Sequence, residues 1–250
     1  MTEPEAKPRR RGIYLLPNLF TTVTLFGGFY AIVMAMSGRF NQAAIGVLAA
    51  MVADGLDGRI ARLTNTQSDF GKEYDSLCDM VAFGVAASLV IFSFSLHHLS
   101  GYGWLGGKLG WVLAFTYTAC AALRLARFNV LTAIAGGDKD FFGLPSPAAA
   151  GLVVFFVWFA HSVELNGEQM LIPASLVTLG AGLLMVSSVR YNSFKKVDLA
   201  GRMRFLPFAA VVGMLTLVMV NPPMILFVMF LGYALSGPIL MLWKRVRPGT

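Results

Sequence analysis

The chain has 250 residues, of which 56% are hydrophobic and only 13% charged, with a formal net charge of +7. Soluble domains carry about 25% charged residues, so this composition, with a mean hydropathy of +0.67, excludes a soluble globular fold, and its wealth of Phe, Leu, Val and Met excludes disorder. Cys78 and Cys120 are too few for a disulfide scaffold.

A helix needs about 20 apolar residues to cross a hydrocarbon core of about 30 Å. Eight candidate spans are predicted in chain order, at 17–37, 40–62, 71–95, 109–131, 147–161, 169–189, 205–221 and 223–243. The expected fold is all-α: a polytopic membrane helix bundle of about eight transmembrane helices, in a single domain over 1–250. Residues 1–12 form a basic N-terminal tail and 244–250 a basic C-terminal one. No small-residue cleavage site follows the first stretch, which is therefore read as a retained helix. The fifth span is short, and the seventh and eighth meet at Asn221-Pro222-Pro223. Gly27 and Gly28 are read as helix-packing positions. Trp104, Trp111, Trp158 and Trp243 are read as an interfacial belt.

Charge asymmetry sets the expected orientation, with both termini cytoplasmic. Eight spans then leave only Arg39 and Lys108 of the 20 basic residues outside. The outer loop before the sixth span carries Glu164 and Glu168 instead. The positive charge is thus a membrane-surface signal. No nucleic acid partner is expected, because there is no basic soluble domain.

The second and third spans are unusual: each has one apolar half and one half bearing carboxylates. Asp54 and Asp57 are three apart and share a helix face. Gly58 and Ala61 continue that face, and Arg62 follows. Gly71, Asp75 and Asp79 are spaced by four and four on the next helix, again on one face. The connection near 63–70 is polar and turn-like, so the two acidic faces can oppose each other at the cytoplasmic side. A charge at mid-membrane costs about 2.5–3.5 kcal/mol on insertion scales. Placement at helix ends would explain one such Asp better than four in this pattern.

Four close carboxylates need cations, and hard oxygen-binding divalent ions match them. Histidines and cysteines lack ligand spacing, which argues against a soft-metal site. Two ions of the Mg²⁺ or Mn²⁺ kind suit phosphoryl chemistry. Gly58, Ala61 and Gly71 leave room for a ligand near the backbone, and Arg62 offers a fixed cation for a phosphate.

Together these residues read D-x-x-D-G-x-x-A-R, eight residues, G-x-x-x-D-x-x-x-D. This pattern resembles the signature of the CDP-alcohol phosphotransferase family, with no position missing. The segments PNLFTT (17–22), GKEYDSLCDMVAFGVA (71–86), ALRLARFNV (122–130) and FFGLPSPAAAG (141–151) are similar to its serine-accepting branch. One departure is Ala87, where that branch is expected to have Pro.

The resemblance implies a membrane-embedded helical homodimer with a divalent metal pair; the compact chain suggests a prokaryotic cell (inner) membrane, and the charge asymmetry puts the active site on the cytoplasmic side. The resemblance also implies transfer of the phosphatidyl group of CDP-diacylglycerol to L-serine, with release of CMP. Asp54, Asp57, Asp75 and Asp79 are then the metal ligands, and Asp79 is also the catalytic base. Asp54, Gly58, Ala61, Arg62 and Gly71 line the CDP moiety.

Serine brings a carboxylate and an ammonium. Arg124 and Arg127, three apart at the cytoplasmic end of the fourth span, are candidates for the carboxylate or the lipid phosphate. Anchoring to headgroups is the plainer alternative. Glu73, Asn129 and Ser146 are candidates for the ammonium. Two rivals stand beside this reading. One is a sibling transferase accepting glycerol 3-phosphate or an inositol phosphate. The other is a cation transporter using the acidic cluster, disfavoured by the single one-sided cluster and by the Arg beside it.

Overall fold

Runs of apolar residues, broken at capping and proline positions, fold into helices. The computed structural model describes residues 15–63, 68–135, 143–189, 191 and 205–246. Among the described residues there are eight helices, with the π turn taken as part of the third. They are α1 (Leu15–Met36), α2 (Phe40–Leu63), α3 (Asp69–Phe94), α4 (Gly103–Ala135), α5 (Ser146–Ser162), α6 (Leu171–Val186), α7 (Phe205–Val220) and α8 (Pro222–Val246). A 3-10 segment, Leu96–Tyr102, joins α3 to α4.

The sequence explains where several of them start. The Ser68 hydroxyl accepts the Gly71 N–H at 3.0 Å and caps α3. The Asn221 side chain accepts the Met224 N–H at 3.3 Å, and Pro222 opens α8 at a position where its missing N–H costs nothing. Helix α8 runs on to Val246, into the segment expected to be a tail.

Among the described residues, four stretches are long and apolar enough to cross a membrane: Asn18–Met36, Asp69–Phe94, Leu96–Leu131 and Pro222–Met241. The others are shorter or carry charge. Helix α5, with 17 residues, would span only about 25 Å. It is nevertheless the centre of the bundle, buried continuously from Ala148 to Trp158. A helix apolar on every side belongs inside. Trp158 therefore departs from the belt reading: it is 9% exposed and packs near Phe155. Trp104, Trp111 and Trp243 are exposed as expected.

Helix α1 reaches its neighbours through a stripe of small residues. A Cβ at Gly27 would meet Gly46 O of α2 at 2.7 Å, and one at Gly28 would meet Ala82 Cα of α3 at 2.6 Å. Backbone thus lies on backbone, as small residues permit in membrane bundles. This contact wedges α1 between the two helices that bear the carboxylates.

Helix α3 contains one π turn, Met80–Val85, immediately after Asp79. The widened turn is anchored by the buried Tyr117 hydroxyl of α4, which donates to Phe83 O at 3.0 Å. A π turn holds one extra residue and so re-aims the helix faces on either side of it. Before it, α3 presents Asp75 to α2; after it, Ala86, Ala87, Val90, Ile91 and Phe94 enter the core.

Candidate active site

The opposed acidic faces do meet. Oxygen atoms of Asp54, Asp57 and Asp75 all lie within 4.8 Å of one another, an arrangement able to hold a metal ion. Asp79 stands outside this trio but close enough to Asp54 for the two carboxylates to interact electrostatically. Asp57 is the most enclosed, at 4% exposure. Its Oδ2 accepts the Thr21 hydroxyl of α1 at 2.9 Å.

The site is unsatisfied in one direction. Among the described residues, the buried atoms Asp75 Oδ1, Asp79 Oδ1 and Arg124 Nε have no hydrogen-bond partner. A buried polar group left alone costs about 1–3 kcal/mol, more when charged. Acceptors and a donor left open around one acidic cluster suit a cation together with an anionic ligand. An all-oxygen donor set fits Mg²⁺ or Mn²⁺ rather than a thiolate-seeking ion.

Arg124 is held by α5. Its Nη1 donates to Ser146 Oγ at 2.8 Å, and the guanidinium feels both Asp79 and Asp54. Ser146 is 1% exposed and sits at the first position of α5. The turn before it is fixed by backbone. Gly143 (φ +82°) and Leu144 donate their N–H groups to Val189 O and Leu184 O, each at 2.9 Å. At Gly143 a Cβ would run into Met185 O, so glycine is required for both space and conformation. Arg124 and Ser146, named separately from the sequence, thus form one unit.

The other candidates are placed differently. Arg127 is exposed and reaches Val186 O at 3.5 Å. Asn129 Nδ2 donates to Ser76 Oγ at 2.9 Å, joining α4 to α3 beside Asp75. Glu73 is exposed, two residues and so about 200° around the helix from Asp75. A Cβ at Gly58 would meet nothing within 4 Å, so the α2 backbone is open there. At Gly71 that space is taken by Ser68 Oγ and Asn18 Oδ1. The side chains of Ala61 and Arg62 lie outside the described residues.

Residues 14–185 match the family described as CDP-alcohol phosphatidyltransferase. The chain belongs to the CDP-alcohol phosphatidyltransferase family. Its curated relatives include a CDP-diacylglycerol–serine O-phosphatidyltransferase of Helicobacter pylori, 41% identical over 94% of each chain. A protein of the same name from Mycobacterium tuberculosis is 35% identical over 77% of this chain and 67% of its own. An archaetidylserine synthase of Methanothermobacter thermautotrophicus is 34% identical over 70% of this chain and 69% of its own.

Sequence reasoning missed Thr21. The signal was present: Thr21 and Thr24 continue the buried stripe of Gly27, Gly28, Ala31 and Ala35 along α1. Hydroxyls on the packed face of an apolar helix need partners. Thr24 donates to Ala50 O at 3.4 Å, and Thr21 finds Asp57.

Proposed function

We propose that this protein transfers the phosphatidyl group of CDP-diacylglycerol to L-serine, giving phosphatidylserine and CMP. The observation that carries this is the convergence of Asp54, Asp57 and Asp75 beside the Arg124–Ser146 pair. The relatives named for serine transfer, one at 41% identity over 94% of the chain, support the choice of acceptor.

Asp54, Asp57, Asp75 and Asp79 hold two divalent cations, Mg²⁺ or Mn²⁺, in this reading. Such cations neutralise the pyrophosphate and so assist departure of CMP. Gly58 lets the nucleotide lie against α2, with Ala61, Arg62 and Gly71 beside it. Arg124 holds the serine carboxylate with the donors that Ser146 leaves free. Asn129 on α4, bonded to Ser76 of α3, is the proposed acceptor for the ammonium, since Glu73 on α3 faces away from Asp75, and Arg127 lies nearer the headgroups. Asp79 takes the proton of the serine hydroxyl as that oxygen attacks the phosphorus bearing diacylglycerol. The P–O bond to CMP breaks as the new P–O bond forms.

The chain works as a homodimer of eight-span subunits in a prokaryotic inner membrane, with termini and active site on the cytoplasmic side. Bringing 18 basic residues to that side supports the orientation. The reaction needs this placement, because serine and CMP are water-soluble while the phosphatidyl group stays in the bilayer.

The test offers purified enzyme CDP-diacylglycerol with serine, glycerol 3-phosphate or inositol phosphate in parallel. Lipid product is expected with serine. Product with glycerol 3-phosphate and none with serine would overturn the assignment.

A further inference from the structure

We infer that Thr21, on the first helix and outside the carboxylate motif, is a positioning residue for the metal-binding set. Its hydroxyl fixes the orientation of the Asp57 carboxylate. This rests on the metal-site reading above.

Thr21 and Asp57 are each 4% exposed, and their side chains meet at 2.9 Å across 36 residues of sequence. The Thr21 hydroxyl donates to Asp57 Oδ2, a bond that a side chain without a hydroxyl could not make. Asp57 is therefore held at Oδ2, while Asp75 Oδ1 and Asp79 Oδ1 stay open. A carboxylate pinned in this way cannot rotate freely about its own axis, which presets the oxygen offered to the cluster.

The position of Thr21 is itself determined by packing. The Gly27–Gly46 approach and the Thr24 hydroxyl on Ala50 O lock the facing stripes of α1 and α2 together. On the same turn of α1, Thr22 Oγ1 lies 3.1 Å from the Tyr74 hydroxyl, next to Asp75. The start of α1 thus backs both acidic helices. Groups that orient ligands in this manner are worth about 10–100-fold in metal affinity or activity.

The test is Mn²⁺ binding to the full-length enzyme in detergent, followed by the electron paramagnetic resonance of free Mn²⁺. Thr21→Val keeps the shape and removes the donor; Thr21→Ser keeps the donor. Thr21→Val is expected to weaken Mn²⁺ binding by about 10–100-fold. Thr21→Ser is expected to stay near wild type. Serine transfer by Thr21→Val should recover as Mn²⁺ is raised. Should Thr21→Val not remain monodisperse, Thr21→Ala takes its place against Thr21→Ser.

Wild-type affinity in the variant lacking the donor would overturn the inference alone. Equal loss in the Ser variant would do so too, since it would mean packing rather than the hydrogen bond. Absence of Mn²⁺ binding by the wild type would overturn the metal site and this inference together.

Discussion

The two ends of the bundle are made from the same kinds of apolar helix but close in opposite ways. At one end Asp75, Asp79 and Arg124, beside Asp54 and Asp57, leave buried polar atoms open. At the other, Phe40 packs edge-on against both Phe94 and His161, with ring centroids 5.1 and 5.5 Å apart. There the Ser95 hydroxyl donates to Gly167 O at 2.6 Å, and a Cβ on Gly167 would run into Phe94 O. This end does have a cleft of about 530 Å³, lined in part by His97, His98 and His161. It has no carboxylate among the lining residues, and His97 Nδ1 lies 3.1 Å from Phe92 O. A cavity alone does not mark the site; unsatisfied, charge-bearing atoms do.

If that contrast is right, substitutions at the two ends should separate chemistry from stability. The largest effect is expected at the open end. Asp79→Asn should lower the turnover number by about 10²–10⁴-fold, as for loss of a general base, with nucleotide binding retained in a filter assay. At the closed end, Trp158→Ala should destabilise the fold by about 3–5 kcal/mol. It should leave turnover per folded enzyme nearly unchanged, as thermal melts and activity on the surviving fraction would show.

Two smaller effects probe the acceptor side. Arg124→Gln should raise the KM for serine by about 10–100-fold, the loss of a charged hydrogen bond worth about 1.5–3 kcal/mol. The KM for CDP-diacylglycerol should move less. Ser146→Ala removes one hydrogen bond to Arg124 and should raise the serine KM by only about 2–10-fold, from a bond worth about 0.5–1.5 kcal/mol. A larger effect for Ser146→Ala than for Arg124→Gln would break the idea that Ser146 works through Arg124.

Much of the fold and of the acidic site is legible in the amino-acid sequence. Spans placed by hydropathy coincide with most of the helices, because an apolar run bounded by Ser68 or by Asn221-Pro222 leaves little choice, whereas α4 runs from Gly103 to Ala135, beyond both ends of the expected 109–131. The acidic faces are legible because helical spacing puts Asp54 with Asp57, and Asp75 with Asp79, on shared faces.

What is not legible depends on partners distant in sequence. The π turn after Asp79 relies on Tyr117, whose hydroxyl reaches Phe83 across 34 residues. Trp158 reads as interfacial until the rest of the bundle surrounds α5. Arg124 and Ser146 are each visible as polar residues, but their bond spans a turn whose shape depends on Val189 and Leu184.

The central claim is that the open end is a metal-dependent serine phosphatidyltransferase site. Its most direct test follows labelled serine into lipid alongside CMP release from CDP-diacylglycerol, with EDTA and then with added Mn²⁺ or Mg²⁺. The account predicts lipid-bound serine and CMP in equal amounts, both abolished by EDTA and both restored by the cation. Serine-independent CMP release, or transfer that continues undiminished in EDTA, would contradict it.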